Sequence, residues 1–235
     1  MTRPFVEAHL VNLAFFTYQV PDDLLKPYLP RGCVLDKFRG ATCATLVAFD
    51  FEETRVAGWR VPMHVEFPQV SLQFYVRHDG RRGVCFIREF SPRLAVSFVA
   101  GRVFNEPCVT SAMTTMTERT ETEQRFSRSF RAGDQVHRVV AAVSPDLPTL
   151  PRPESEETWI KEHEWVFGSN REGRSIIYRV AHPQWLIWKV NWYSVSVDFG
   201  AAFGEKWRFL SKESASHVMV AEGSAVKIYQ PKVIG

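Results

Sequence analysis

Lysine is scarce in this chain: 8 lysines stand against 21 arginines in 235 residues. Arginine keeps its charge at every working pH, so the basic residues supply fixed partners for carboxylates and few titratable amines. The four cysteines (Cys33, Cys43, Cys85 and Cys108) form no Cys-x-x-Cys pair and have no zinc-like spacing. They are expected as reduced thiols in a cytoplasmic protein. There is no glycine-rich phosphate loop, no Gly-x-Ser-x-Gly elbow and no His-Glu-x-x-His motif, which argues against nucleotide, α/β-hydrolase and zincin chemistry. Long apolar runs are missing too. Leu10 to Phe16 is interrupted by Asn12, is too short to span a bilayer and lacks a small-residue cleavage site, so no membrane association is expected. The densest basic groups, Arg77 with Arg81 and Arg82, and Arg125 with Arg128 and Arg131, make no continuous stripe, so no nucleic-acid partner is expected. Nor does any 20–50-residue period or heptad seam recur.

What is present is apolar and strand-like: 45% of the residues are hydrophobic and 13% aromatic, enough for a sizeable core. Pro21 to Lys26 reads as a short helix and Cys43 to Phe51 as a buried strand. Between Val70 and Arg77, Val70, Leu72, Phe74 and Val76 alternate with Ser71, Gln73, Tyr75 and Arg77, placing the two sets on opposite faces of a strand. His78-Asp79-Gly80 turns that strand into Gly83 to Phe90. Leu94 to Phe104 reads as a third strand, and Thr110 to Thr122 as a further one. Gln124 to Arg131 and Gln135 to Val143 form a hairpin about Ala132-Gly133-Asp134. Four prolines make Ser144 to Pro153 irregular, and Ser155 caps a helix running to His163. Trp165 to Gly168 pairs with Ser175 to Ala181, and strands follow at Leu186 to Asn191, Tyr193 to Asp198 and His217 to Tyr229, with a helical turn around Phe203 to Leu210. About ten strands against two or three short helices predict a mainly β, β-rich α+β domain over residues 1–235: a closed antiparallel β-barrel with a pocket.

Several segments carry a family resemblance. Gly101-Arg102-Val103-Phe104-Asn105-Glu106-Pro107-Cys108 resembles the Gly-Arg-Glu…Gly-Phe-Pro-Lys-Lys segment of acetoacetate decarboxylase, whose first lysine forms a Schiff base. Phe67 to Arg77, Arg82 to Glu89, Asn105-Glu106-Pro107, Glu162-His163, His182-Pro183-Gln184-Trp185 and Ala221-Glu222-Gly223-Ser224 are similar to the bacterial YqjF-like family of the acetoacetate decarboxylase-like superfamily. The resemblance implies that superfamily's cone-like barrel with an internal pocket. At the lysine positions it places Cys108 and Val109, so no imine chemistry is implied there. It also puts Gln69 and Gln73 where relatives carry an acid and a base, which implies a neutral amide pair in place of a charged one.

The candidate pocket residues are Arg88, Glu89, Arg102, Glu106, Cys108, Glu162, His163 and His182. Cys108 acts as a nucleophile if Arg102 or a histidine lowers its pKa, and otherwise is a buried structural thiol. Strand parity groups Glu89 with Ile87 and Cys85, and Arg88 with Phe86 and Val84, with Glu89 either at a rim or paired inside. Arg102 and Glu106 share a face if their strand is unbroken, and together would hold a carboxylate or carbonyl. His163 and His182 lack helical ligand spacing, so they read as a helix-end cap and a turn donor, and no metal or cofactor is expected. Lys189 reads as a snorkelling outer residue. Three functions stay open: a small-molecule-binding barrel for a keto acid or aromatic acid, an acid–base enzyme (lyase or hydrolase type) on a carbonyl or carboxylate compound, and an interaction protein with a filled interior. Self-association into a homo-oligomer is left open.

Overall fold

A computed structural model describes residues 3–60 and 65–234. The alternating patterns become β1 (Val6–Gln19), β2 (Val34–Leu35), β3 (Cys43–Val56), β4 (Phe67–His78), β5 (Arg81–Ser91), β6 (Cys108–Thr110), β7 (Met113–Arg119) and β8 (Gln124–Ala132). They continue as β9 (Gln135–Val143), β10 (Trp165–Ser169), β11 (Ser175–Ala181), β12 (Ile187–Trp188), β13 (Val190–Ser196), β14 (His217–Ile228) and β15 (Lys232–Val233). Helix is confined to α1 (Asp22–Leu25), α2 (Leu94–Val99), α3 (Glu156–Lys161), α4 (Phe199–Phe203) and a few tighter or wider turns. The mainly β reading holds, with fifteen strands among the described residues where about ten were expected, β2, β6, β12 and β15 being only two or three residues long.

Eleven strands form one sheet in the order β12-β14-β1-β3-β4-β5-β10-β11-β15, with β2 on β4 and β6 on β5. β11 also pairs with β14, through Val180↔Ile228 and Ala181↔Lys227. The second sheet has the order β13-β9-β8-β7. It packs on one face of the first, where Val70, Leu72, Phe74 and Val76 of β4 meet Phe126, Phe130, Val139 and Ala141. The opposite face of β4 is buried as well, because Tyr75 joins a second core with Phe15, Phe49, Val84, Phe104, Trp159 and Tyr178. The polar-looking side of β4 therefore faces a second core and not water. Scattered arginines find carboxylates: Arg77 and Arg82 converge on the buried Asp36 at 2.7 and 2.6 Å, and Arg128 pairs with Asp50.

Two expectations are corrected. Leu94 to Phe104 is not a strand: α2 runs into a wide π-type turn at Ala100–Phe104 that ends on Asn105 in the left-handed region, at φ 51°. Val96, Val99, Ala100 and Phe104 recur at helical spacing, and a short apolar run of this kind satisfies either period until its packing partner is known. Arg102 and Glu106 consequently share no strand face.

The second correction concerns β5. Its register against β4 slips between Leu72↔Arg88 and Gln73↔Phe86, leaving Ile87 as the extra residue of a bulge. Beyond the bulge the parity inverts, so Glu89 joins Phe86 on the inner face, while Arg88 follows Cys85 and Ile87 to the other side.

Glycine matters where backbones touch. A Cβ on Gly83 would strike the carbonyl of Trp165, its partner in the parallel β5–β10 pairing, and a Cβ on Gly223, at φ 85°, would strike that of Leu10.

Candidate functional site

Along the inner face a cavity of about 250 Å³ opens between β3, β4, β5, β11 and α2. Phe49, Phe51, Phe67, Phe86, Phe104 and Val99 give it apolar walls. Its polar groups are Thr54, Gln69, Glu89, Glu106, Cys108 and Tyr178; among the described lining residues there is no Arg, Lys or His.

Backbone pairing brings the two glutamates together. The Glu89 amide donates to the Pro107 carbonyl at 3.0 Å, and Glu89 lies opposite Cys108 in the parallel β5–β6 ladder. The bulge turns Glu89 inward, where it is 1% exposed. Gln69 donates its amide to Glu89 Oε1 at 2.5 Å, and the Tyr178 hydroxyl donates to Glu106 Oε1. The two carboxyls lie close enough to raise each other's proton affinity, and Glu89 Oε2 is buried without a hydrogen-bond partner.

Burial raises the pKa of both groups. Glu89 rises to about 7, moderated by its polar neighbours Glu106 and Gln69. Glu106 is raised well above the usual range by burial and by the negative charge of Glu89. The two carboxyls therefore titrate as a pair that keeps a proton at pH values where free glutamates have lost theirs. Cys108 points the opposite way from an activated nucleophile. Burial and the negative charge of Glu89 push its thiol up to about 12, and its sulfur sits 3.6 Å from the Ser97 hydroxyl.

The structure brings Glu89, Glu106 and Cys108 into one site and disperses the other candidates. Arg88 donates to the Ala202 carbonyl at 2.7 Å, on the side of the sheet facing α4. Arg102 is exposed on the π-type turn and lies outside the lining. Glu162 pairs with the buried Lys161 and accepts the Trp185 amide. His163 is buried against Tyr75, with ring centroids 5.1 Å apart, and its ring interacts with the Trp159 backbone of α3. His182 stacks on Trp185 at 4.1 Å and pairs its Nδ1 with the Pro183 carbonyl at 2.8 Å, the turn role its sequence suggested. No three His, Cys, Asp or Glu side chains gather as a metal-ligand group among the described residues. Lys189 is exposed.

Tyr178 was not singled out by the sequence, and Gln69 entered only through the resemblance, as half of an amide pair with Gln73. Gln69 does face the cavity, whereas Gln73, also buried, does not line it. The alternation of Tyr178 with Val180 gives the tyrosine a face, but only the assembled sheet reveals what that face meets.

Comparison with solved structures places this geometry in a known fold. The enduracididine biosynthesis enzyme MppR, in its complex with pyruvate, is similar with a TM-score of 0.70 at 14% identity, over 100% of this chain and 92% of that one. An acetoacetate decarboxylase from Legionella pneumophila gives 0.67 at 13% identity, over 100% and 88%. An acetoacetate decarboxylase-like enzyme from Sphingomonas wittichii gives 0.67 at 11%, over 97% and 92%. The fold is thus acetoacetate decarboxylase-like. No helix among the described residues is long and apolar enough to cross a membrane. No curated protein matches the sequence. Residues 7–225 match the model of DUF2071, described as an uncharacterized conserved protein, and the chain belongs to that family.

Proposed function

We propose that this protein binds a small, mainly apolar carbonyl compound and moves protons on it by acid–base catalysis. The observation that carries this reading is that Glu89 and Glu106 stand together at the wall of an otherwise apolar cavity, each held by a polar neighbour. A carboxyl pair with no cation among its described neighbours repels a carboxylate, so a neutral ketone, aldehyde or ester fits better than a keto acid. Ionised Glu89 takes a proton from the carbon beside the carbonyl, and protonated Glu106 gives one to the carbonyl oxygen. The product is an enol, with charge and electrons conserved and no co-reactant needed. Gln69 and Tyr178 hold the two carboxyls in place. No lysine stands among the described lining residues, so the reading involves no imine. The β11–β14 pairing supports reading the large sheet as a closed barrel around this cavity, and the quoted motifs support a place among bacterial YqjF-like proteins.

The test is deuterium incorporation. Neutral ketones and esters of four to eight carbons, and the matching keto acids, are incubated in D2O near pH 7.5 and followed by NMR. Exchange of the α-protons of a neutral member, lost in Glu89→Gln, is expected. A thermal shift without exchange reduces the function to binding, and neither effect anywhere in the panel overturns the reading.

A further inference from the structure

A second cavity, of about 220 Å³, lies directly behind the first. Phe86, Phe104, Glu106, Val166 and Tyr178 line both, so the Glu106–Tyr178 hydrogen bond forms part of their common wall. The two spaces differ in chemistry. The first is walled almost wholly by apolar side chains, whereas the second mixes Pro27 and Phe167 with Asn105, Ser169 and the polar faces of Glu106 and Tyr178. It also reaches the surface, because Pro27, Pro107 and Ser169 are exposed. At that edge the Asn105 amide donates to the Ser169 carbonyl and ties the π-type turn to the end of β10.

A water molecule needs room and two to four polar partners, and one probe-sized space of roughly 10–15 Å³ suffices for it. The second cavity exceeds that many times over and offers hydroxyl, amide and carboxyl groups. The first cavity offers few polar groups among its many apolar side chains.

We propose that this second cavity is a water-binding site and the route by which the carboxyl pair exchanges protons with solvent, leaving the apolar cavity to the organic ligand. A proton passes from Glu106 to a water in the second cavity and another returns along the same file, so each exchange leaves the pair unchanged. Tyr178, hydrogen-bonded to Glu106 in the shared wall, positions the carboxyl toward that water. The proposal shares the protonated carboxyl pair with the preceding reading, but not its substrate.

Infrared spectroscopy of the ligand-free protein tests it. A buried protonated carboxyl band is expected at pH 7 and is assigned by its loss in the double variant Glu89→Gln, Glu106→Gln. After rapid mixing with D2O the band shifts on deuteration, and the rate of that shift is the readout. Ser169→Trp and Pro27→Trp, at two sides of the second cavity's mouth, are each expected to slow deuteration at least tenfold. Pro27→Ala, which leaves the mouth open and removes no polar group, is expected to deuterate at the wild-type rate. Both tryptophan positions are exposed, and an unchanged thermal midpoint checks that each variant is folded. Wild-type rates in both folded tryptophan variants would overturn the route while leaving the acid–base reading intact. Slowed rates with no α-proton exchange on any carbonyl compound would support the route and sink that reading. Absence of the band in the wild type would overturn both.

Discussion

The inner face of β4 supplies two places that treat polar groups in opposite ways. At one end Gln69 meets Glu89 beside a cavity, and burial leaves the carboxyl pair holding a proton that free glutamates would have lost. At the other end Tyr75 meets His163, packed with Trp159, and burial together with the positive charge of Arg82 pushes the imidazole down to about 3. Low polarity removes charge in each case: the acid keeps its proton and the base refuses one. The difference lies in space. The glutamates face a cavity in which a ligand can meet them, while the histidine is locked among aromatic rings.

Truncation sharpens this contrast most strongly. Trp159→Ala at the packed end is expected to cost about 3–5 kcal/mol, the usual loss for a buried tryptophan. The indole stands 4.4 Å from the ring of Tyr75 and 5.5 Å from that of Phe38, so nothing collapses easily into its place. Val99→Ala, on the wall of a space already empty, is expected to cost about 1 kcal/mol or less. Urea unfolding of both variants measures the pair, and equal losses would break the distinction between an open end and a packed one.

The next effect is a pair of opposite pH dependences. Glu89 holds its proton to higher pH when folded, so the native state binds more protons between about pH 4.5 and 7 and stability falls as pH rises through that window. Glu89→Gln is expected to recover about 2–3 kcal/mol at pH 8 and little at pH 4. His163 has the reverse sign. Its folded pKa lies below the unfolded one, so its contribution is complete above about pH 6.5 and is lost as pH falls toward 3. His163→Phe is expected to gain about 2 kcal/mol at pH 5 and to flatten the acid side of the stability profile. Thermal midpoints measured from pH 4 to 8 read both slopes, and the same sign for the two variants would contradict the contrast.

The smallest effect is an absence of reaction. With its thiol pushed up to about 12, Cys108 is expected to escape iodoacetamide at pH 7.5 in the folded protein and to react in urea, as followed by mass spectrometry. Rapid labelling of the folded protein would restore it as a nucleophile.

Much of the fold is legible wherever one local signal suffices. His78-Asp79-Gly80 and Ala132-Gly133-Asp134 announce their hairpins, and Ser155 accepts the Thr158 amide as the cap of α3. Glu89, Glu106 and Cys108 stand out as polar residues in strand-like or turn-like surroundings, and they do share the cavity. Arg88 and Arg102 fail for a different reason. A single-residue bulge at Ile87 reverses every later side-chain direction in β5, and a helical run at Leu94 to Phe104 replaces an assumed strand. Both depend on what the segment packs against, and alternation within the segment carries no information about that.

By itself the sequence determined a mainly β chain, the places where it turns, and the acidic and apolar character of the residues available for a site. The tertiary structure decided which way those residues face. The second sheet covers the apolar side of β4 and leaves the Gln69 side to line the interior. Parallel pairing of β6 with β5 sets Glu106 beside Glu89, and β11 brings Tyr178 from 72 positions further along the chain. The raised proton affinity follows from that arrangement, because two carboxyls distant in sequence hold protons more tightly when the fold removes water and brings their charges together.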